Sequence, residues 1–399
     1  MATTTKWSSV ILLFISQALF QTGTILVMTL SGMVGLKLAP EESLSTLPIA
    51  MISVGTATMM IPASFIIKKI GQRKSFMTGT IFGILAGLLS FYAIMKSSFL
   101  WFIIGNMLVG AHQGFAQYYR FAAADTVPDN NKGKAIAFVI AGGVVAAFAG
   151  PNLAKFSQHL GAIPYAYAFI SIAFLNIVAL CVLFFLKLPK NSIDKNQNEE
   201  TQIRERPLTE IIKTKTALTA LISSAIGYSV MMMIMTATPL AMHHFGFSAE
   251  QSANVIQWHV LGMFVPSFFT GILIGKFGIH KVILSGIIVL SLYLIFALAG
   301  TGYVNFILAL ILLGIGWNFM FIGGSTLLTK VYRPTEKEKV QAFHDFFVFG
   351  TISLSGLSAG GLLKYWGWQG INIAVTPLLV IALLNIILYA INLKNHDKI

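Results

Sequence analysis

Twelve runs of apolar residues, each about 20 residues long or longer, dominate this sequence and settle its solvent before any other feature matters. A helix rises about 1.5 Å per residue and the hydrocarbon core of a bilayer is about 30 Å thick, so each run is one crossing. The runs fall at 10–36, 46–67, 75–95, 99–122, 133–156, 161–187, 215–241, 250–275, 281–299, 303–329, 338–362 and 368–393. With 56% hydrophobic and 10% charged residues, and a mean hydropathy of +0.78, the chain has more apolar surface than one water-soluble core can hide. The expected fold is all-α and integral to the membrane.

The first run continues far beyond the 7 to 15 apolar residues of a signal peptide, and is expected to be retained as a helix. Cys181 stands alone, so neither a disulfide nor a thiolate metal site follows from it. The formal net charge of +13 could suggest nucleic acid as a partner, but its placement argues for topology. Threading twelve spans puts 23 of the 27 Lys and Arg residues on the side of the termini; the other face has Lys37, Lys96, Lys155 and Lys364. By the positive-inside rule both termini are cytoplasmic, in an inner or plasma membrane.

One long polar stretch, "LPKNSIDKNQNEETQIRERPLTEIIK", separates the sixth run from the seventh. It reads as a cytoplasmic linker, 188–214, between a first six-helix unit, 1–187, and a second, 215–399. The two units repeat weakly. A shift of 207 superposes Lys69 on Lys276, Gly71 on Gly278, Lys74 on Lys281 and Gly79 on Gly286, and "KGKAIAF" at 132–138 answers "KEKVQAF" at 337–343. Such duplication is a feature of secondary transporters, whose substrate site lies between the repeats.

These features resemble the major facilitator superfamily over essentially the whole chain. Its loop between helices 2 and 3, and again between 8 and 9, usually reads G-x-x-x-D-[RK]-x-G-[RK]-[RK]. Here the first copy has Ser64, Lys68, Lys69, Gly71, Gln72 and Arg73, and the second Gly271, Gly275, Lys276, Gly278, Ile279 and His280. The glycines and basic residues persist, while the acid that helps lock the cytoplasmic ends of the helices is missing twice. Asp125, at the end of helix 4, is expected to pair with Lys68, Arg73 or Arg120, or else to face water. Gly150 and Pro151 resemble part of the helix-5 motif of the drug/proton antiporters, or serve as a structural bend. Asn106 stands where that branch carries an Arg in helix 4.

The resemblance implies that helices 1, 4, 7 and 10 line a cavity. On helix 4, Asn106, Gln113, Gln117 and Arg120 fall within roughly 60° of one another at about 100° per residue, a polar stripe that lipid would not tolerate. Arg120 either faces the cavity or snorkels to the cytoplasmic surface. Gln17, Gln21, Thr24 and Met28 share one face of helix 1, for ligand or for helix packing. Tyr228 on helix 7, and Trp317, Asn318 and Phe321 on helix 10, complete the candidate substrate site, while Met231, Met232 and Met235 on helix 7 form either an adaptable wall or ordinary packing.

Of fourteen Asp and Glu residues only Asp345 falls well inside a span. It and His344, then His112, His259 and Asp125, are the candidates for proton coupling, or else Asp345 anchors helix 11 to a basic partner. Adjacent residues on a helix point about 100° apart, so His344 and Asp345 need not pair. No H-E-x-x-H motif, no cluster of acids within the spans and no nucleotide-binding loop is present, which argues against a hydrolase or an ATP-driven pump. No cofactor and no metal are implied; two His residues, His243 and His244, do not make a metal site. The expectation is a monomeric secondary transporter of an anionic or zwitterionic solute, such as a metabolite or carboxylate-rich siderophore, with Arg120 as its anchor and protons as the coupling ion. The alternatives are a drug/proton antiporter and a non-transporting receptor.

Overall fold

The structure, a computed structural model, describes residues 7–41, 44, 47–157, 160, 163, 165–188 and 205–396. Among them the regular structure is helical throughout, and eleven stretches are long and apolar enough to cross a membrane. Helices α1 (Trp7–Leu38), α2 (Leu47–Ile70) and α3 (Gln72–Met95) each cross once. The fourth crossing is divided into α4 (Phe99–Ala116) and α5 (Tyr119–Ala124), and the fifth into α6 (Lys132–Ile140) and α7 (Gly142–Ser157). Helix α8 (Ala166–Phe184) is the sixth, and short α9 (Leu208–Ile212) follows.

The seventh crossing is α10 (Lys215–His244), and the eighth is split into α11 (Ala249–Phe264) and α12 (Ser267–Phe277). Pro266 stands at that split, where its missing N–H leaves the helical ladder interrupted. Then come α13 (Ile279–Ala299), α14 (Tyr303–Leu328), α15 (Lys337–Ala374) and α16 (Thr376–His396). The last apolar stretch, Lys337–Leu393, has 57 residues, about 85 Å of helix, and must cross twice. It reverses at Gly367, whose φ of 66° lies in the left-handed region. Trp368 Nε1 donates to the carbonyl of Ala297 at the far end of α13, while Asn392 accepts from Lys215 at the start of α10. The polypeptide has therefore gone across and returned, which accounts for twelve crossings.

Ser9 donates to the carbonyl of Lys187, and Glu205 lies between Lys68 and Lys339. The start of α1, the ends of α2 and α8, the starts of α10 and α15 and the end of α16 thus share one face, here the terminal face. Residues 189–204, most of the expected linker, lie outside the described residues.

The internal repeat reappears as geometry. Gly71 (φ 83°, ψ 158°) caps α3 and Gly278 (φ 89°, ψ 153°) caps α13, the same left-handed turn at the offset of 207. Close approach repeats as well. A Cβ on Gly110 of α4 would stand 2.0 Å from the carbonyl oxygen of Ile52 on α2, and one on Gly314 of α14 would stand 2.6 Å from that of His259 on α11. Small residues let these backbones touch where lipid offers no hydrophobic drive for helices to associate. Phe65, Phe174, Leu357 and Tyr365 point outward, each at least 65% exposed, as suits a surface solvated by hydrocarbon.

Candidate substrate site

A small cavity of about 20 Å³, room for about one water, lies among α1, α4, α5, α6, α10, α11 and α14, the helices 1, 4, 5, 7, 8 and 10 of the sequence reading. Gln17 and Gln21 line one side. Tyr228, Phe264, Trp317 and Phe321 line the other. Phe321 stacks on Trp317 with centroids 5.2 Å apart and planes 16° from parallel, and Tyr228 sets its edge against both at 5.2 Å. Phe264, which the sequence reading missed, meets Trp317 edge to face at 5.8 Å, just before the break at Pro266. The wall is a tight aromatic assembly.

Gln117 and Arg120 enter from the fourth crossing. Gln117 and Tyr118, between α4 and α5, keep right-handed helical φ/ψ, so the crossing continues through them, and Arg120 lies 3% exposed inside the bundle. It faces the cavity rather than snorkelling outward. Its Nη2 donates to Asp345 Oδ1 at 2.7 Å, and its Nη1 to the Gln117 side-chain and main-chain oxygens at 2.6 and 2.8 Å. The guanidinium lies over the rings of Phe121 and Phe321, at 4.4 and 4.8 Å. Asp345 is fully buried, and His344 Nδ1 donates to the same oxygen at 2.8 Å. The two neighbours do pair, because a side chain can bend back along the helix to meet one that a helical wheel sets apart. Arg120 is thus not an open positive site. Asp345 cancels its charge within the protein, which takes away the main ground for expecting an anion.

Beyond this pair, toward the terminal face, a second layer joins the first six crossings to the last six. Asp125 accepts from Lys337 Nζ at 2.8 Å and from Gln72 Nε2 at 3.0 Å, so its partner is none of Lys68, Arg73 and Arg120. Lys68 lies 3.6 Å from Glu205 instead, and Arg73 donates to the carbonyl of Phe184 while covering its ring. Glu205 also accepts from Lys339 at 3.0 Å. Arg206 grips Glu336 through Nε at 3.0 Å and Nη2 at 2.7 Å, and the amides of Arg206 and Arg333 donate to the same carboxylate. These bonds hold the Glu336 carboxyl at about 2, and Lys339, then Lys68, pulls that of Glu205 below its usual range. In sequence Glu205 and Arg206 read as linker charges, and Glu336 and Lys337 carry no local mark beyond the run of charges at 333–339.

Other expected site residues stand elsewhere. Asn106 is buried toward α1, accepting from Ser31 Oγ at 2.8 Å and donating to the carbonyl of Phe102, and does not line the cavity. Asn318 spends its amide on the carbonyl of Met263 and on Ser267, and its oxygen on Thr270, all within 2.6 Å, joining α14 to α11 and α12. Thr24 donates back to Phe20, and Gln113 is half-buried on α4; neither lines the cavity. His112 packs against the edge of Phe20, and His259 donates from Nδ1 to the carbonyl of Leu310. Gly150 and Pro151 lie in α7, with Gly150 against Ile25 of α1. Lys69 and Lys276 are exposed, Lys276 beside the ring of Phe277. No cluster of His, Cys, Asp and Glu suited to a metal occurs among the described residues.

The sequence profile of the Major Facilitator Superfamily matches residues 13–256 and again 220–398. The chain belongs to that superfamily. As a superfamily member it is a multi-pass integral membrane transporter of a small molecule, not an enzyme. It is 39% identical over 383 residues, 95% of each chain, to the riboflavin transporter RfnT of Brucella anthropi. Among solved structures it is similar to the human organic anion transporter MFSD10, with a TM-score of 0.75 at 13% identity over 94% of this chain and 98% of that one. A second is the transporter FucP in its outward conformation, with a TM-score of 0.71 at 16% identity over the same shares. At these identities both structures speak to the superfamily fold alone.

Proposed function

We propose that this chain carries riboflavin, or a closely related uncharged and planar heterocycle, across the membrane by alternating access. The observation that carries this reading is the cavity, in which an aromatic wall faces glutamine amides and the one guanidinium is neutralised by Asp345. In the state described here the cavity is closed to about one water, and the substrate enters as the helices rock apart; a flavin ring system then stacks on the aromatic wall, and its hydroxylated side chain suits Gln17, Gln21 and Gln117. The 39% identical relative that bears the name riboflavin transporter supports the same substrate. A multiply charged siderophore or carboxylate would meet an arginine already engaged, and would bring uncompensated charge into a buried site.

In this reading the face closed by Arg120–Asp345, Asp125–Lys337 and the Glu205 contacts is cytoplasmic, in keeping with the distribution of Lys and Arg. Gly71, Gly278, Lys69, Arg73 and Lys276 shape the loops on which the two sets of helices rock, and Pro151, which removes a backbone hydrogen bond beside the α1-packed Gly150, lets the fifth crossing bend. Asp345 takes up the coupling proton. Protonation removes the charge that holds Arg120, and His344, on the same carboxylate oxygen, relays it. The carrier works as a monomer.

The test is flux of labelled riboflavin into proteoliposomes, with and without a pH gradient, against excess citrate, a hydroxamate siderophore and a cationic dye. Saturable riboflavin flux that the competitors leave unchanged, and that the gradient accelerates, is the expected result. Thermal stabilisation by carboxylates with no flux of riboflavin would overturn the assignment.

A further inference from the structure

We infer that Trp317 selects the substrate by donating its indole N–H to a ring carbonyl of the bound heterocycle. This rests on the reading of the cavity as a site for a flavin-like ring. Trp317 is 2% exposed and lines the cavity, and its Nε1 has no hydrogen-bond partner among the described residues. An indole nitrogen can only donate, and buried donors are paired in the great majority of cases, since leaving one unmet costs much of its hydration.

Among the described residues none accepts from it. The rings packed on it belong to Tyr228, Phe264 and Phe321, and the polar residue next in sequence, Asn318, spends both ends of its amide on the eighth crossing. A second buried donor without a partner among the described residues, the Nε of Arg120, belongs to another residue that lines the cavity. Arg120 lies over one face of Phe321, and Trp317 stacks against the same ring. Two unmet donors therefore border one aromatic pile. A ligand that completes them must be flat enough to share the wall and must carry acceptors on its rim, as the carbonyl-bearing pyrimidine edge of a flavin does. A flat hydrocarbon or a cationic dye with no rim acceptor would bury both donors unmet, so the arrangement discriminates by the acceptor and not by area alone.

The deciding experiment compares wild type with Trp317→Phe, which keeps a stacking ring and removes only the donor. Binding of riboflavin, 2-thioriboflavin and 4-thioriboflavin is measured by titration calorimetry on the purified full chain, sulfur being the poorer acceptor. Wild type should prefer riboflavin to at least one thio analogue by about tenfold, and Trp317→Phe should bind riboflavin about tenfold more weakly with that preference abolished. Unchanged affinity and unchanged preference in the variant overturn the inference while leaving the proposed function in place. If wild type binds no flavin at all, the proposed function fails and the inference goes with it. Should the variant not fold, the wild-type comparison decides alone: less than twofold preference at both ring positions refutes the donor role.

Discussion

Arg120 and Asp345, 225 residues apart in sequence, meet at 2.7 Å inside the bundle with 3% and 0% of their side chains exposed. A buried pair of this kind is far worse off with one partner than with both or neither, because the survivor keeps its desolvation cost and loses its counter-charge. Arg120→Ala or Asp345→Ala should each destabilise the fold by about 3–5 kcal/mol, and the double variant by less than the sum of the two. Thermal melts of the four proteins in one detergent check this, and strict additivity would argue that the pair is not coupled.

Asp125 and Lys337 form the next contact between the two sets of crossings, with the lysine almost fully buried. Asp125→Lys should cut flux at least tenfold, and Asp125→Lys with Lys337→Asp should recover much of it. The partner assignment is checked by also reversing Lys68, whose exposed contact with Glu205 is worth little, about 0–1 kcal/mol. Rescue of Asp125→Lys by Lys68→Asp but not by Lys337→Asp would contradict the structure.

Glu336 gives the fold a pH dependence of known sign. Its carboxyl is held at about 2, below its ordinary 4.5, by Arg206 and two backbone amides. A depressed carboxylate stabilises fully above its unfolded value and loses that contribution as pH falls toward its folded one. The difference in melting temperature between wild type and Glu336→Gln should therefore be flat above about pH 5 and shrink progressively between 4.5 and about 2. A difference that widens on acidification would mean that the grip of Arg206 is absent.

Asn318 separates packing from recognition. Its three bonds join α14 to the eighth crossing, and it lies outside the cavity lining. Asn318→Leu should cost about 1–3 kcal/mol in stability and leave substrate preference unchanged. Parallel melts and competition assays on the variant check both halves of that statement; altered selectivity at wild-type stability would place Asn318 at the substrate.

Gly110 tests the close approach of α2 and α4. A methyl group there would meet the Ile52 carbonyl at 2.0 Å, and backbone cannot swing aside as a side chain can. Gly110→Ala should destabilise by about 1–3 kcal/mol or more, read as a lower melting temperature, while Gly350→Ala, in open space, should be tolerated.

Much of this architecture is legible in the sequence because membrane crossings are set by run length and the duplication leaves paired glycines. Gly71 and Gly278 align in sequence for the reason that they share a left-handed turn in space. Arg120 stands out for a related reason, as a charge that oil cannot hold without a partner. Tertiary pairing is less legible. A helical wheel placed Asn106 and Arg120 on one stripe, but Ser31 draws Asn106 toward α1. Nor does any local pattern join Asp125 to a lysine 212 positions later, since that contact exists only once two sets of helices have met. Amides on α1 could serve a ligand or a neighbour, and only the packed cavity distinguishes Gln17 and Gln21 from Thr24.

The compensation of Arg120 by Asp345 also has an electrical consequence. A lone guanidinium carried through part of the membrane field would feel up to about 2.3 kcal/mol per 100 mV, enough to bias the carrier toward one side at resting voltage. With Asp345 ionised the pair sums to zero and voltage has no purchase on it, whereas protonation of Asp345 leaves the charge of Arg120 to the field. Any current that accompanies the cycle is then carried by what crosses with the solute, so the sign and size of that current count coupling ions directly.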